Sequence, residues 1–418
     1  MYLYAKGIKP NRRSCMRTVS KTVIGVDFGT QSARAVLVNA ENGEIIYSCR
    51  KEYPYNSTPV PAIDCAENLP CATDYEMTLY ELLRNVIPEE YRKTVAGICV
   101  DATSLTMVLL AEDGRALSEL DGWSEAAHAR VKLWKYHRAQ EKADEALNLA
   151  RNLQEPFLGR TGGSISCEWM LPKLLEVRDE APEIYSKIDL AMDLCEFLTF
   201  RLTGQLVRSI GSLSYKCLWA EDLSFPERTF LNGLRAGFYE EYCHFLRGDV
   251  RKLGECAGVL RSELTKRWGL PEQIPVATGM LDGHTSLATM GAFEPGDAAL
   301  IVGTSNVCTV QDRKLQELKD VCGVAQDGMV TGSCGIDTGQ SSTGNMLGWF
   351  VEHMAGWQIH REAEERKISP HQVLAERIQK PWENKVIAVD WWSGSRNAPC
   401  DLTLRGSMSG LEMDTKTE

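Results

Sequence analysis

Two stretches far apart in the chain share one plan, and that repetition limits the fold more than any other feature. "VIGVDFGTQSARAVLVNAENGEIIY", Val23 to Tyr47, and "AALIVGTSNVCTVQD", Ala298 to Asp312, each run from an apolar, β-branched segment through a glycine corner with small polar residues into a second such segment. The two glycines, Gly29 and Gly303, lie 274 residues apart. In the first stretch Asn42-Gly43 closes a further hairpin before Ile45-Ile46-Tyr47, which predicts a three-stranded meander. A chain of 418 residues exceeds what one hydrophobic core holds, so the repeat is expected to mark two half-molecules facing each other across a cleft. The boundary is placed at Glu294-Pro295-Gly296, giving a basic tail at 1–21, a first domain at 22–294 and a second at 295–418.

Between the corners the pattern alternates. Val95 to Val100 reads as a strand that ends in Asp101-Ala102-Thr103-Ser104. From Ala126 to about Leu202, "AAHARVKLWKYHRAQEKADEALNLARNL" and "CEWMLPKLLEVRDEAPEIYSKI" repeat apolar residues at helical spacing. Strands alternating with helices predict an α/β architecture.

Composition narrows the class of partner. The net charge of -11 speaks against binding a nucleic-acid backbone, and no apolar run reaches the roughly 20 residues of a membrane-spanning helix. Small molecules are the expected ligands. The 14 cysteines are scattered through apparent core segments without CxxC pairs, which reads as reduced thiols in a cytoplasmic protein. The first 21 residues carry six Lys/Arg and no acid but lack a signal peptide's apolar core; Met16, just before the first strand, reads as an alternative start.

The corners suit a phosphate. Gly29 and Gly303 allow close approach to the backbone, while Thr30, Gln31, Ser32, Thr304 and Ser305 supply donors. Asp27, at the end of the first strand, could hold Mg²⁺ against nucleotide phosphates through water. Either corner alone reads as an ordinary hairpin, with Asp and Gly chosen for turn geometry. A matched pair favours the ligand reading. In "ATGMLDGHTSLATMGA", Asp282 opens an expected helix, either as its N-cap or as a general base toward a sugar hydroxyl, roles that coexist. Placement at a helix N-terminus would help keep it ionised. His284 reads as secondary to it. Trp134, on an expected amphipathic helix, reads as core, and Lys216 as a solvated lysine.

The ordered stretches "VDFGTQSARAVLV", "GMLDGHTSLATMGA", "IVGTSNVCTV", "GIDTGQSSTGNMLGWF" and "DWWSGSRNAPCDLTLRGSMSGL" resemble the FGGY carbohydrate kinases, which share the actin and hexokinase (ribonuclease H-like) fold. "VKLWKYHRAQEKADE", "GGSISCEWMLPKLLEV" and "GSLSYKCLWAEDL" resemble the ribulokinases among them. The likeness runs from about Thr22 to Leu411. It implies transfer of the ATP γ-phosphate to the 5-hydroxyl of ribulose, in pentose catabolism, with Mg²⁺ as cofactor and a homodimer as an allowed state. It also implies roles by position. Asp27 would be the magnesium-associated carboxylate, and Gly29, Thr30, Gln31, Ser32, Gly303, Thr304 and Ser305 the phosphate contacts. Asp282 would be the base; Ser104, Trp134, Lys216, Asp282 and Asp337 would meet the sugar.

Two departures keep alternatives open. Asp337 stands where similar ribulokinases carry glutamate, so its sugar contact would be lost or bridged by water, and another ketose or a polyol would fit as substrate. Family members also continue well past the equivalent of "RGSMSGL". The second domain is therefore expected to lack its adenine loops, final helices and at least one core strand, and a weak or inactive sugar-binding fragment is the alternative function. An actin-like chaperone or filament role is opposed by the set Trp134, Lys216 and Asp282.

Overall fold

The computed structural model describes residues 21–54, 69–134, 136–303, 305–378, 386–397, 401, 403–413 and 415. Residues 1–20 of the basic tail, Met16 among them, and Thr304 of the second corner lie outside the described residues.

The expected meander forms: β1 (Thr22–Phe28), β2 (Ser32–Asn39) and β3 (Ile45–Glu52) pair antiparallel in sequence order. Alternation along β1 sends Ile24, Val26 and Phe28 into the core. Helix α1 (Ala72–Val86) covers them with Tyr75, Leu79, Leu82, Leu83 and Val86, a stripe at three- and four-residue spacing. The strand expected at Val95 is β4 (Val95–Ala102), which lies parallel to β1 on the side away from β2, in a register that sets Asp101 opposite Asp27.

A helical layer follows. β5 (Met107–Leu110) leads to α2 (Gln140–Leu153), α3 (Met170–Glu180) and α4 (Pro182–Tyr185), then β6 (Leu190–Asp193), α5 (Leu194–Thr203), β7 (Val207–Ser209) and α6 (Ile210–Lys216). Of these, β5, α2, α3, α4, β6 and α6 share a second core with α7 (Arg228–Leu234) and α8 (Phe238–Phe245), whereas α5 packs into the first core. The helix expected from Ala126 starts only at Gln140. Upstream of it the backbone bonds elsewhere: Lys132 and Met107 exchange amide and carbonyl across a bridge, and the Val131 amide donates to Pro70. Those bonds use groups a helix would need, and they place Trp134 in a turn rather than on a helix.

The first sheet then resumes. After β8 (Asp249–Arg251) and β9 (Cys256–Val259), α9 (Ser262–Trp268) returns the chain to β10 (Pro275–Ala277) and β11 (Met280–Leu281), both beside β4. The seven-stranded order is β3-β2-β1-β4-β10-β9, with β11 also on β4. Gly279, between β10 and β11, is required by packing: a Cβ there would stand 2.7 Å from the Cys195 carbonyl oxygen of α5. Helix α10 (Asp282–Met290) starts at once after β11.

The second corner joins β12 (Ala298–Val302) and β13 (Asn306–Asp312), an antiparallel hairpin as expected. With β14 (Gly323–Gln326) and β15 (Cys334–Gln340) they form a sheet of order β12-β13-β15-β14. Helices α11 (Gly344–His353), α12 (Trp357–Arg366) and α13 (Pro370–Arg377) follow, and β16 (Ile387–Val389) pairs with β17 (Ser407–Ser409). The architecture is the two-domain α/β fold expected. The two parts lock through Tyr215 of α6. Its ring is fully buried against Gly323, Gly328 and Gly335, where Cβ atoms would stand 2.5–2.8 Å from it, and its hydroxyl donates to the Gly335 carbonyl at 2.7 Å. Among the described residues all eleven cysteines are free thiols, and no helix is long and apolar enough to cross a membrane.

Candidate functional site

Three aspartates reach one place because three strands end together. Asp27 and Asp101 each stand next to last, in β1 and β4, and Asp282 follows β11, whose Met280 and Leu281 pair with Asp101 and Ala102. Burial pushes the Asp101 carboxyl up, and the charge and hydrogen bond of Asp27 push it further, to about 9. The Asp101 carboxyl thus keeps its proton at neutral pH. Asp101 was legible in part: "ICVDATS" repeats the strand-Asp-corner pattern of "IGVDFGT", and only the parallel pairing brings the two side by side.

Asp282 is the first residue of α10 rather than its cap; Leu281 takes that position, and the carboxylate accepts the Gly283 amide at 2.7 Å. Burial raises it to about 6, Asp27 adding to the rise while the Gly283 and Ser104 amides and the Lys216 charge oppose it. It therefore remains mostly ionised at pH 7, as expected of the helix start.

At the first corner, the Gly29 amide donates to the Ser32 carbonyl at 3.2 Å and Tyr53 donates to the Gly29 carbonyl at 2.9 Å. The Ser32 hydroxyl accepts from Arg50 Nε at 3.0 Å, the Gln31 carbonyl accepts from the Tyr53 amide, and Thr30 Oγ1 accepts from Trp134 Nε1 at 3.2 Å. Trp134 thereby touches the first corner itself. At the second corner the return bond spans one residue fewer, with the Gly303 amide donating to the Ser305 carbonyl at 3.0 Å. Gly344, at the start of α11, donates to the Gly303 carbonyl at 2.9 Å. Around this corner three buried side-chain oxygens have no hydrogen-bond partner among the described residues: Asn306 Oδ1, Ser341 Oγ and Thr343 Oγ1. Asn306 and Ser341 also line a cavity of about 420 Å³. Buried polar atoms at a helix N-terminus without partners suit an anionic ligand.

Lys216 is not solvated. Ending α6, its Nζ stands 3.5 Å from Asp337 Oδ2. His284 Nε2 lies 3.8 Å from the same oxygen and packs edge-on against Tyr215. Burial alone would raise the Asp337 carboxyl, but Lys216 and His284 outweigh it and hold it below the ordinary carboxylate range. Ser104, in the turn after β4, has a buried hydroxyl with no partner among the described residues. Sequence reasoning also missed Arg396. It comes from the second part of the chain, lies over the Trp134 ring at 5.2 Å and pairs with Glu168 at 3.0 Å, and only tertiary structure brings it there. Among the described residues no three His, Cys, Asp or Glu side chains could hold a metal ion by themselves. The buried Asp27–Asp101 pair nonetheless suits a cation that shares its ligands with water and phosphate.

The fold agrees with the comparisons. The FGGY family of carbohydrate kinases, N-terminal domain, matches residues 22–289, and the C-terminal domain of the same family matches 298–418. A ribulokinase from Halalkalibacterium halodurans is 33% identical over 409 residues, covering 96% of this chain and 73% of the relative. A ribulokinase from Mycolicibacterium smegmatis is 35% identical over 407 residues, covering 94% and 72%. In fold, the chain is similar to a ligand-bound xylulose kinase from Lactobacillus acidophilus, with a TM-score of 0.74 at 18% identity over 95% of this chain and 74% of that one. It is also similar to a Plasmodium falciparum glycerol kinase with ADP, with a TM-score of 0.69 at 16% identity over the same shares.

Proposed function

The chain belongs to the FGGY family of carbohydrate kinases and is an ATP-dependent sugar kinase, and from that premise we propose that its acceptor is ribulose and that Asp282 is the base of the transfer. The observation that carries this reading is the position of Asp282. It starts a helix beside the Asp27–Asp101 pair, within the electrostatic reach of Lys216, and it titrates near 6.

In this reading Ser104, Trp134, Lys216 and Asp337 hold the ketose. The indole forms a wall for its carbon face, and the ammonium bonds its hydroxyls while remaining tethered to Asp337. Asp282 accepts the proton of the 5-hydroxyl as that oxygen bonds the γ-phosphorus and the bond to the β–γ bridging oxygen breaks, releasing ADP. Gly29, Thr30, Gln31 and Ser32 on one side and Gly303, Thr304 and Ser305 on the other hold the phosphates. The Ser341 and Thr343 hydroxyls add donors that have no protein partner among the described residues. Asp27, with Asp101 beside it, would hold Mg²⁺, which neutralises phosphate charge. Asp337, held by Lys216 and His284, is set back from the sugar relative to the glutamate of similar ribulokinases, so a water bridges it to the ketose. The domain boundary is proposed at 295, the setting as cytoplasmic, and a homodimer remains compatible.

The test is calorimetric titration with ribulose, xylulose and gluconate and separately with Mg·ATP, followed by a phosphoryl-transfer assay with each sugar. Ribulose should bind most tightly and yield ribulose 5-phosphate. Preference for another acceptor would overturn the substrate assignment, and undiminished transfer in Asp282→Asn would overturn the assignment of the base.

A further inference from the structure

Leu105, directly after Ser104, is fully buried and held at φ +43°, a left-handed conformation that a leucine adopts only when its surroundings impose it. Two buried ionisable groups impose it from opposite ends of the residue. Asp193, the last residue of β6, accepts the Leu105 amide at 3.0 Å, and the Lys173 ammonium, from α3, donates to the Leu105 carbonyl at 3.0 Å. Both side chains have no solvent exposure.

Among the described residues Lys173 makes no direct ion pair. Its other bonds go to the Leu133 carbonyl at 2.9 Å and the Lys132 carbonyl at 3.4 Å. Leu133 precedes Trp134. A single ammonium therefore ties the residue that follows Ser104 to the residue that precedes Trp134, although the two segments are far apart in sequence. Asp193 extends the tie, since Ser212 Oγ donates to the same Oδ2 at 2.8 Å, and Ser212 lies on α6, the helix that ends in Lys216. Burial lowers Lys173 only to about 8, so it carries its charge at neutral pH. A methionine would fill the same space without the cost of burying that charge, so packing alone does not account for a lysine here.

We infer that Lys173 and Asp193 are positioning residues for the sugar site: by clamping the left-handed Leu105 peptide they hold the Ser104 amide on Asp282 and fix Trp134 and α6 relative to it. The kinetic part of this inference rests on the function proposed above; the clamp itself does not. Misplacement of a reacting group by about 1 Å costs on the order of 100-fold in rate, so looseness at Leu105 is read directly in turnover.

Lys173→Met tests it. Amide exchange of the Thr103–Met107 segment should rise at least about tenfold while that of α12 (Trp357–Arg366) stays unchanged, since the loss is confined to a local opening. KM for the sugar should rise at least about tenfold with KM for Mg·ATP within about twofold, and the acidic limb of kcat/KM should move upward, because Asp282 loses the Ser104 amide that lowers it. Should Lys173→Met not fold, Asp193→Asn reads the same amide. It keeps shape and acceptor but weakens the bond by removing the charge that the carboxyl, raised by burial to about 7, carries above that pH, so exchange at Leu105 measured at pH 8 should rise a few-fold. Unchanged exchange in the variant that folds overturns the clamp, whatever the turnover. Exchange that rises while both KM values rise together overturns the positioning role. A wild-type chain that leaves ribulose unphosphorylated counts against the substrate reading alone, because the exchange comparison needs no substrate.

Discussion

The two glycine corners look alike in sequence, yet their strands lie in different surroundings. β1 runs between β2 and β4, and its Ile24, Val26 and Phe28 are at most 2% exposed. β12 has β13 as its sole partner strand among the described residues, and its Leu300 and Val302 are 54% and 58% exposed. The same strand-corner-strand motif is thus the centre of a large core in one domain and the edge of a small sheet in the other. Rigidity and carboxylates therefore come from the neighbouring strand rather than from the motif itself. Only the first corner has a β4 beside it, and only there does a second aspartate stand next to the first.

If the corners were equivalent, removing a polar side chain from each would cost the same. We expect otherwise. Asp27→Ala should lower phosphoryl transfer by about 10³-fold or more with ribulose affinity nearly unchanged, whereas Ser305→Ala should cost about tenfold, mainly in KM for Mg·ATP. Steady-state kinetics with calorimetry on both variants decide it, and equal losses would break the comparison.

Asp282 offers the next largest effect. A base must be ionised, so kcat/KM should fall about tenfold per pH unit below a midpoint near 6. In Asp27→Asn that midpoint should drop, because the charge helping to raise Asp282 is gone. A midpoint that stays in place would mean that burial alone sets it.

Stability should divide in the same way. Ile24→Ala, in β1, should destabilise by about 2–5 kcal/mol, since a buried cavity is left. Leu300→Ala, on the exposed face of β12, should stay within about 0.5 kcal/mol. Urea unfolding measures both, and a cost at Leu300 as large as that at Ile24 would show that something covers β12 in solution.

What the sequence disclosed follows the same division. Local pattern was enough for the meander, for both hairpins and for the start of α10, because period-two apolarity and Asn-Gly or Gly-Thr corners act over a few residues. It failed at Ala126–Ala139, where helical spacing was overridden by bonds to β5 and to Pro70. It failed again at Lys216, whose carboxylate partner is 121 residues away, and at Arg396, which meets Glu168 across 228 residues. Asp337 was placed by resemblance to the family, and its partners Lys216 and His284 emerged only from packing. Long-range charge pairing leaves no period in a sequence.

The smallest effect is expected at Asp101, and it is the one that most directly tests the neighbouring-strand argument. Its folded value, about 9, lies above the ordinary carboxylate value, so the native state binds a proton that the unfolded chain releases above pH 4. The sign follows. Stability from this group is complete at low pH and is lost as pH rises toward 9, so the wild-type melting temperature should decline between pH 5 and pH 9. Asp101→Asn keeps the shape and the hydrogen bond to Asp27 without the proton, and it should flatten that decline and raise the melting temperature at pH 8. A parallel decline in wild type and variant would mean that Asp101 does not hold a proton beside Asp27, and that the cation reading must then rest on Asp27 alone.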